Sequence, residues 1–203
     1  MFDSQTIAAL TTMADETEIN PAALLAIAEV ESGGQALFDI NGGKEPAIRF
    51  EGHYFDRRLS GRLRDYARTN GLSAPVAGQI RNPKSQAARW LLLERAMGLS
   101  KKAALESTSW GLGQVMGAHW EWLGYATVDE LVAEARGSIA GQARLMLRFI
   151  EKAELLDVLK ARNWREFARR YNGPAFARNE YDKRMAEAYQ RWQKRLENFR
   201  RAA

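Results

Sequence analysis

In this 203-residue chain the residue whose type and setting most clearly suit acid–base chemistry is a glutamate at the end of an apolar helix. The stretch Asn20-Pro21-Ala22-Ala23-Leu24-Leu25-Ala26-Ile27-Ala28-Glu29-Val30-Glu31-Ser32-Gly33-Gly34 has helical character throughout. At about 100° per residue, Glu31 falls among Leu24, Ile27, Ala28 and Val30 on one side of the wheel. A carboxyl on the buried face of a last turn loses hydration and meets the negative end of the helix dipole. Both effects favour its protonated form. That suits a general acid, or equally a structural carboxyl hydrogen-bonded to backbone. Glu29 falls on the other side and reads as an ordinary surface charge.

The elements that must position Glu31 are punctuated. Asn20 is an N-cap, Pro21 suits the first helical position, and Gly33-Gly34 supply a left-handed exit. Upstream, Ser4 caps a helix with Ile7, Leu10, Met13 and Ala14 on one face, expected to pack beside the Glu31 helix as a hairpin. Downstream, residues 35–46 read as a turn-rich loop, and Ala47-Ile48-Arg49-Phe50-Glu51 alternates as a strand does. Charges between Asp56 and Arg68 read as a solvated face. Asn82-Pro83 repeats the cap-and-proline signal before a helix with Trp90 and Leu93, and Ser100 opens another. Ser107 to Gly117 is a glycine-rich loop where backbone can approach a ligand, followed by Trp120, Trp122 and Tyr125. Thr127 with Glu130 forms a capping box, Ser138 begins a strongly apolar helix, and Asn163 with Glu166 caps a helix that Asn172-Gly173-Pro174 stops. From Asn179 a last amphipathic helix sets Tyr181, Met185, Tyr189 and Trp192 against Lys183, Arg184, Arg191, Lys194 and Arg195. It is expected to dock on the core with its basic face solvated. The fold class is mainly α, with a very small β element near residues 47–51, in one domain over residues 1–203.

The net charge is +5, carried mostly by arginine, which favours an anionic partner such as nucleic acid, lipid or an acidic wall polymer. There is no cysteine, so disulfide and thiolate chemistry are excluded. Two histidines, His53 and His119, argue against a histidine-rich metal site. The amino-terminal stretch lacks a secretory signal, and nothing approaches the roughly 20 apolar residues of a membrane span.

Three motifs occur in order: Ala26-Ile27-Ala28-Glu29-Val30-Glu31-Ser32-Gly33-Gly34, Ser109-Trp110-Gly111-Leu112-Gly113-Gln114-Val115-Met116, and Tyr171-Asn172-Gly173. Together they resemble the lysozyme-like superfamily of goose-type lysozymes and soluble lytic transglycosylases. More narrowly, Ile48-Arg49-Phe50-Glu51-Gly52-His53-Tyr54-Phe55, Ser107-Thr108-Ser109-Trp110-Gly111, Phe167-Ala168-Arg169-Arg170-Tyr171-Asn172-Gly173-Pro174 and Asn179-Glu180-Tyr181-Asp182 resemble the N-acetylmuramidase family of phage endolysins. The likeness runs from about Ile19 to Trp192.

The resemblance implies a two-lobed lysozyme-like fold and cleavage of the β-1,4 bond between N-acetylmuramic acid and N-acetylglucosamine in peptidoglycan. Glu31 would be the general acid. Gln114, Tyr171 and Asn172 would hold the glycan, with the loop-stabilising amide and the core phenol as the alternatives for Gln114 and Tyr171. Glu51 is the first choice for a second carboxylate, against an ion pair with Arg49 or a bond to His53; Asp39 and Glu106 are weaker choices. The resemblance implies no metal or organic cofactor, no separate wall-binding module and no nucleic-acid partner. It implies synthesis in a host cytoplasm without a signal peptide, action on the cell wall, a holin-type release partner with delivery by a secretion system as the alternative, and at most weak contact of the C-terminal helix with anionic membrane. A lytic transglycosylase, leaving 1,6-anhydro ends, is the alternative in chemistry. A non-catalytic basic helical protein that binds nucleic acid or membrane is the alternative in class, and it leaves Glu31 unexplained.

Overall fold

The computed structural model describes residues 2–202. In chain order its elements are α1 (Ser4–Glu16), α2 (Pro21–Ser32), β1 (Leu37–Ile40), β2 (Gly43–Pro46), β3 (Ile48–Phe50), α3 (Gly52–Arg58), α4 (Gly61–Thr69), α5 (Gln86–Met97), α6 (Lys101–Glu106), β4 (Thr108–Trp110) and β5 (Val115–Met116). A 3-10 turn at Gly117–His119 follows, then α7 (Val128–Gly137), α8 (Ile139–Lys152), α9 (Leu156–Lys160), α10 (Trp164–Tyr171) and α11 (Tyr181–Ala202).

Two apolar cores divide these elements into two lobes. The first gathers Leu10, Leu24, Ile27, Met146, Phe167 and Trp192, joining the helices of both chain ends around α2. The second gathers Phe50, Phe55, Leu93, Trp110, Leu131 and Leu145, under the small sheet and the helices between. The lysozyme-like, mainly helical expectation holds, and the chain leaves and re-enters the first lobe at the two ends of the second.

At the centre lies α2. Asn20 caps it by accepting from the Ala22 N–H at 2.9 Å, Pro21 follows the cap, and Gly33 ends it at φ 73°. Yet α2 is not a one-sided helix: every residue from Ala22 to Ala28 is buried, because α1, α11 and the rest of the first lobe enclose it. Glu29 is therefore not the surface charge the wheel suggested. Its carboxylate accepts from Arg191 Nη2 and Trp192 Nε1, each at 2.6 Å, and ties α11 down along α2. The apolar face of α11 docks on the core as expected, with Met185, Ala188, Tyr189 and Trp192 buried.

Other local readings shift by a few residues. Asp3, not Ser4, caps α1, accepting from the Thr6 N–H at 2.8 Å. Residues 37–46 form a hairpin rather than a loop. β1 and β2 pair from Leu37 opposite Pro46 to Ile40 opposite Gly43, and Asn41 (φ 50°) with Gly42 (φ 80°) makes the two-residue turn. Asp56 is buried, not solvated: Arg68 bonds both its oxygens at 2.7 and 2.8 Å and the Ser73 hydroxyl donates at 3.0 Å. The Arg68 fork holds that carboxyl below its usual range.

The three-stranded sheet, ordered β3-β4-β5, carries the second lobe's share of the cleft. Ile48 lies opposite Trp110 and Phe50 opposite Thr108, while Trp110 faces Val115. The free edge of β3 is closed by side chains. Asn82, expected to start a helix, instead accepts from the Phe50 N–H at 3.0 Å and donates to its carbonyl at 2.7 Å. Gln86 accepts from the Ile48 N–H at 3.0 Å and Arg89 donates to the Ile48 carbonyl at 3.2 Å. An amide side chain paired with both groups of one residue substitutes for a neighbouring strand. The helix α5 starts later, capped by Ser85.

Candidate active site

Glu31 is half-buried on the last turn of α2. Behind it, the Ser32 hydroxyl donates to the Ala28 carbonyl at 2.7 Å and accepts from the Gly34 N–H at 3.3 Å, which fixes the helix exit. The Glu31 Oε1 accepts from Asn172 Nδ2 at 2.6 Å. Loss of hydration pushes the Glu31 carboxyl from 4.5 up to about 7. The Asn172 hydrogen bond, then the Arg184 and Arg49 charges, oppose the rise without cancelling it.

Asn172 reaches Glu31 because it terminates α10, where its own N–H bonds the Ala168 carbonyl at 2.8 Å. Its Oδ1 is buried with no partner. The side chain therefore offers one donor to the acid and one free acceptor beside it. Tyr171, one residue earlier, donates from its hydroxyl to the Gly113 carbonyl at 2.7 Å rather than to Glu31. Burial, with Glu31 adding, raises the phenol's pKa well above its ordinary value, so it remains a neutral donor. Gly113 has no room for a side chain: a Cβ there would sit 2.6 Å from Met146 Cγ and 2.8 Å from the Tyr171 hydroxyl.

Gln114 turns inward. From a left-handed backbone (φ 46°), its Nε2 donates to the carbonyls of Gly111 at 2.9 Å and Ala47 at 3.2 Å. The amide nitrogen thus staples the β4–β5 loop to the start of β3. A second amide, Gln142 on α8, was not evident from the sequence. Fully buried, it accepts from the Leu112 N–H at 3.1 Å and donates to the Ala36 carbonyl at 3.2 Å, joining that loop to the exit of α2.

Glu51 stands between β3 and α3, its N–H bonded to the Ser107 carbonyl at 2.8 Å. Its carboxylate accepts from Arg49 Nε at 2.7 Å and lies 3.5 Å from His53 Nδ1, with 19% of the side chain exposed. Burial pushes the His53 imidazole toward its neutral form, against the pull of Glu51. Arg49 acts on both Glu31 and His53, and the half-buried Tyr181 phenol is raised by burial and then by Glu31, with Glu51 adding. Glu31 from the first lobe and Glu51 from the second thus share one electrostatic environment. The other two carboxylates are engaged elsewhere. Asp39 is exposed and pairs with Lys44 at 2.6 Å, while Glu106 accepts from Arg58 at 3.0 Å and Trp120 Nε1 at 2.9 Å.

Arg184 was expected on a solvated basic face. Its Nη2 instead donates to the Val30 carbonyl at 3.4 Å and its guanidinium lies 5.5 Å from the Tyr181 ring, which puts a positive charge beside the acid. An aromatic chain also leaves the site. Tyr171 stacks on Phe167 at 5.2 Å and meets Phe149 at 5.1 Å, and Phe149 meets His119 at 5.4 Å and the exposed Trp122 at 5.7 Å. Among the described residues no three His, Cys, Asp or Glu side chains gather as a metal site would require.

Comparison with known proteins bears on what such an arrangement does. The family model for N-acetylmuramidase matches residues 20–193. The solved structure of a Burkholderia AP3 phage endolysin is similar over 93% of this chain and 71% of its own, at 35% identity and a TM-score of 0.76. A search of curated proteins returned no match. The matched span holds Glu31, Glu51, Gln114, Tyr171 and Asn172; the chain belongs to the N-acetylmuramidase family.

Proposed function

We propose that Glu31 is the general acid of this peptidoglycan glycosidase and that Glu51 receives the proton of the attacking water. Family membership makes the chain a glycoside hydrolase acting on peptidoglycan; the residue roles are the proposal. Protonated Glu31 gives its proton to the glycosidic oxygen as the bond from C1 of N-acetylmuramic acid breaks, releasing the 4-hydroxyl of N-acetylglucosamine. Water then adds to C1, its proton passes to Glu51, and Glu31 is reprotonated from solvent. The observation that carries this reading is a carboxyl held near neutrality beside a single aimed amide. The partnerless Oδ1 of Asn172 suits the N–H of an acetamido group. Gln114 serves by its backbone staple and Tyr171 by holding the Gly113 carbonyl, so both shape the glycan's floor. Trp122, 45% exposed at the end of the aromatic chain, is a face on which a further sugar ring can stack.

Residues 1–203 then act as one catalytic unit. No described helix is long and apolar enough to cross a membrane. Access to the wall from the cytoplasm of a host cell would need a membrane lesion made by a holin-type partner. Any contact of α11 with anionic lipid would use its basic face, since α2 covers the apolar one.

The test is mass spectrometry of fragments released from purified peptidoglycan by the wild type and by Glu31→Gln. Reducing muropeptides from the wild type alone support the reading; equal release by the variant overturns the role of Glu31, and anhydro ends overturn that of water.

A further inference from the structure

Beside the exit of α2 lies a cavity of about 550 Å³ that the proposed mechanism does not use. Gly33 and Gly34 form one wall, and Arg191, Lys194, Arg195 and Asn198 project from α11 to form the other. Among the described residues the only carboxylate lining it, Glu29, is already taken by Arg191 and Trp192. Lys194 and Arg195 are left without a counter-charge within salt-bridge distance among the described residues.

Arg195 is held in a defined pose. Its guanidinium lies 5.0 Å from the Trp192 ring and 5.5 Å from the Phe199 ring, a stacking geometry that leaves the fork's edge for hydrogen bonding. Its Nη1 is buried with no acceptor. A sealed Nη1 cannot itself meet a ligand, which leaves Nε and Nη2, the fork's other edge, as the pair of donors that a ligand in the cavity could bond. A planar guanidinium with a neighbouring ammonium and an amide is a donor set for a carboxylate, which the fork can bind through two parallel bonds.

We propose that this cavity binds the terminal D-alanine carboxylate of a peptide stem carried by the peptidoglycan strand. The choice of anion rests on the peptidoglycan hydrolase reading; the cation pocket itself does not. Peptidoglycan is anionic through the carboxylates of its stems, and the cavity begins two residues beyond Glu31. A stem seated there would anchor the polymer to the same helix that carries the acid.

The experiment is calorimetric titration of the full chain with a sugar-free stem peptide ending in a D-alanine carboxylate, with its C-terminal amide, and with inorganic phosphate. The expected result is that amidation weakens binding at least tenfold, and that Arg195→Gln, Arg195→Lys and Lys194→Gln each weaken it at least fivefold. Lys194 is exposed, so its variant tests the site even where an Arg195 variant misfolds. In turnover, Lys194→Gln should raise the KM for peptide-bearing strands relative to peptide-stripped strands at least threefold. Equal binding of acid and amide, absence of binding, or phosphate binding more tightly than the peptide overturns the proposal. Failure of the Glu31 reading is distinguishable, since it would show as cleavage by Glu31→Gln with the peptide titration unaffected.

Discussion

Asn172 Nδ2 and Glu31 Oε1 meet at 2.6 Å across 141 residues of chain, joining the end of α10 to the end of α2. A donor on the carboxyl favours its charged form, while loss of hydration favours the neutral one, and hydration loss dominates, leaving the group near 7. The balance predicts a pH profile. Cleavage should fall as pH rises through about 7, because the acid loses its proton. Asn172→Ala should move that alkaline limb upward by removing a stabiliser of the carboxylate, while lowering kcat. The kcat/KM–pH profiles of both proteins check this.

Replacing Glu31 by Gln should cost about 10²–10⁴-fold in kcat, the range for loss of a positioned general acid. The same change should stabilise the fold at neutral pH. With its pKa raised from 4.5 to about 7 on folding, Glu31 binds more protons in the folded state between those values, so stability falls as pH rises across that window. The whole effect is on the order of 3 kcal/mol. The gain in Tm from Glu31→Gln should therefore be larger at pH 8 than at pH 4, measured by thermal unfolding at both.

Glu51→Gln should reduce kcat by about 10–100-fold, less than Glu31→Gln, because it removes a proton acceptor but leaves protonation of the leaving group intact. The released fragments should keep reducing ends. Steady-state rates with fragment mass spectra test both statements.

Trp122→Ala should raise KM for long strands about fivefold with kcat little changed, in line with about 1 kcal/mol for loss of an exposed stacking face. Short glycans that do not reach Trp122 should be cut equally by both proteins.

Gly113→Ala should destabilise by about 1–3 kcal/mol, since its Cβ would meet Met146 at 2.6 Å and the Tyr171 hydroxyl at 2.8 Å. Displacing Tyr171 should also disturb Asn172, so activity should fall with stability. Chemical denaturation and turnover measured on one preparation would show the two losses together.

What the sequence by itself determined here is local. The caps and left-handed exit of α2, the stop at Asn172-Gly173, the caps Ser100, Thr127, Ser138 and Asn163, and the position of Glu31 at a desolvated last turn all depend on neighbours a few residues away. The resemblance added the order of the motifs and hence the family. Only the tertiary structure decided which long-range partner each polar group found. Glu29 looked solvated because a wheel shows one helix, whereas enclosure of α2 by α11 brings Arg191 and Trp192 onto it. Asn82 looked like a cap because its alternative partner, the edge of β3, lies 32 residues away. The Asn41-Gly42 turn was a local signal for β1–β2, but their strands alternate too weakly to stand out. Gln142, Arg184 and the Oδ1 of Asn172 gain their settings only when the first lobe packs around α2. Hydrogen bonds and desolvation depend on distance in space, and the chain carries no record of that distance until it folds.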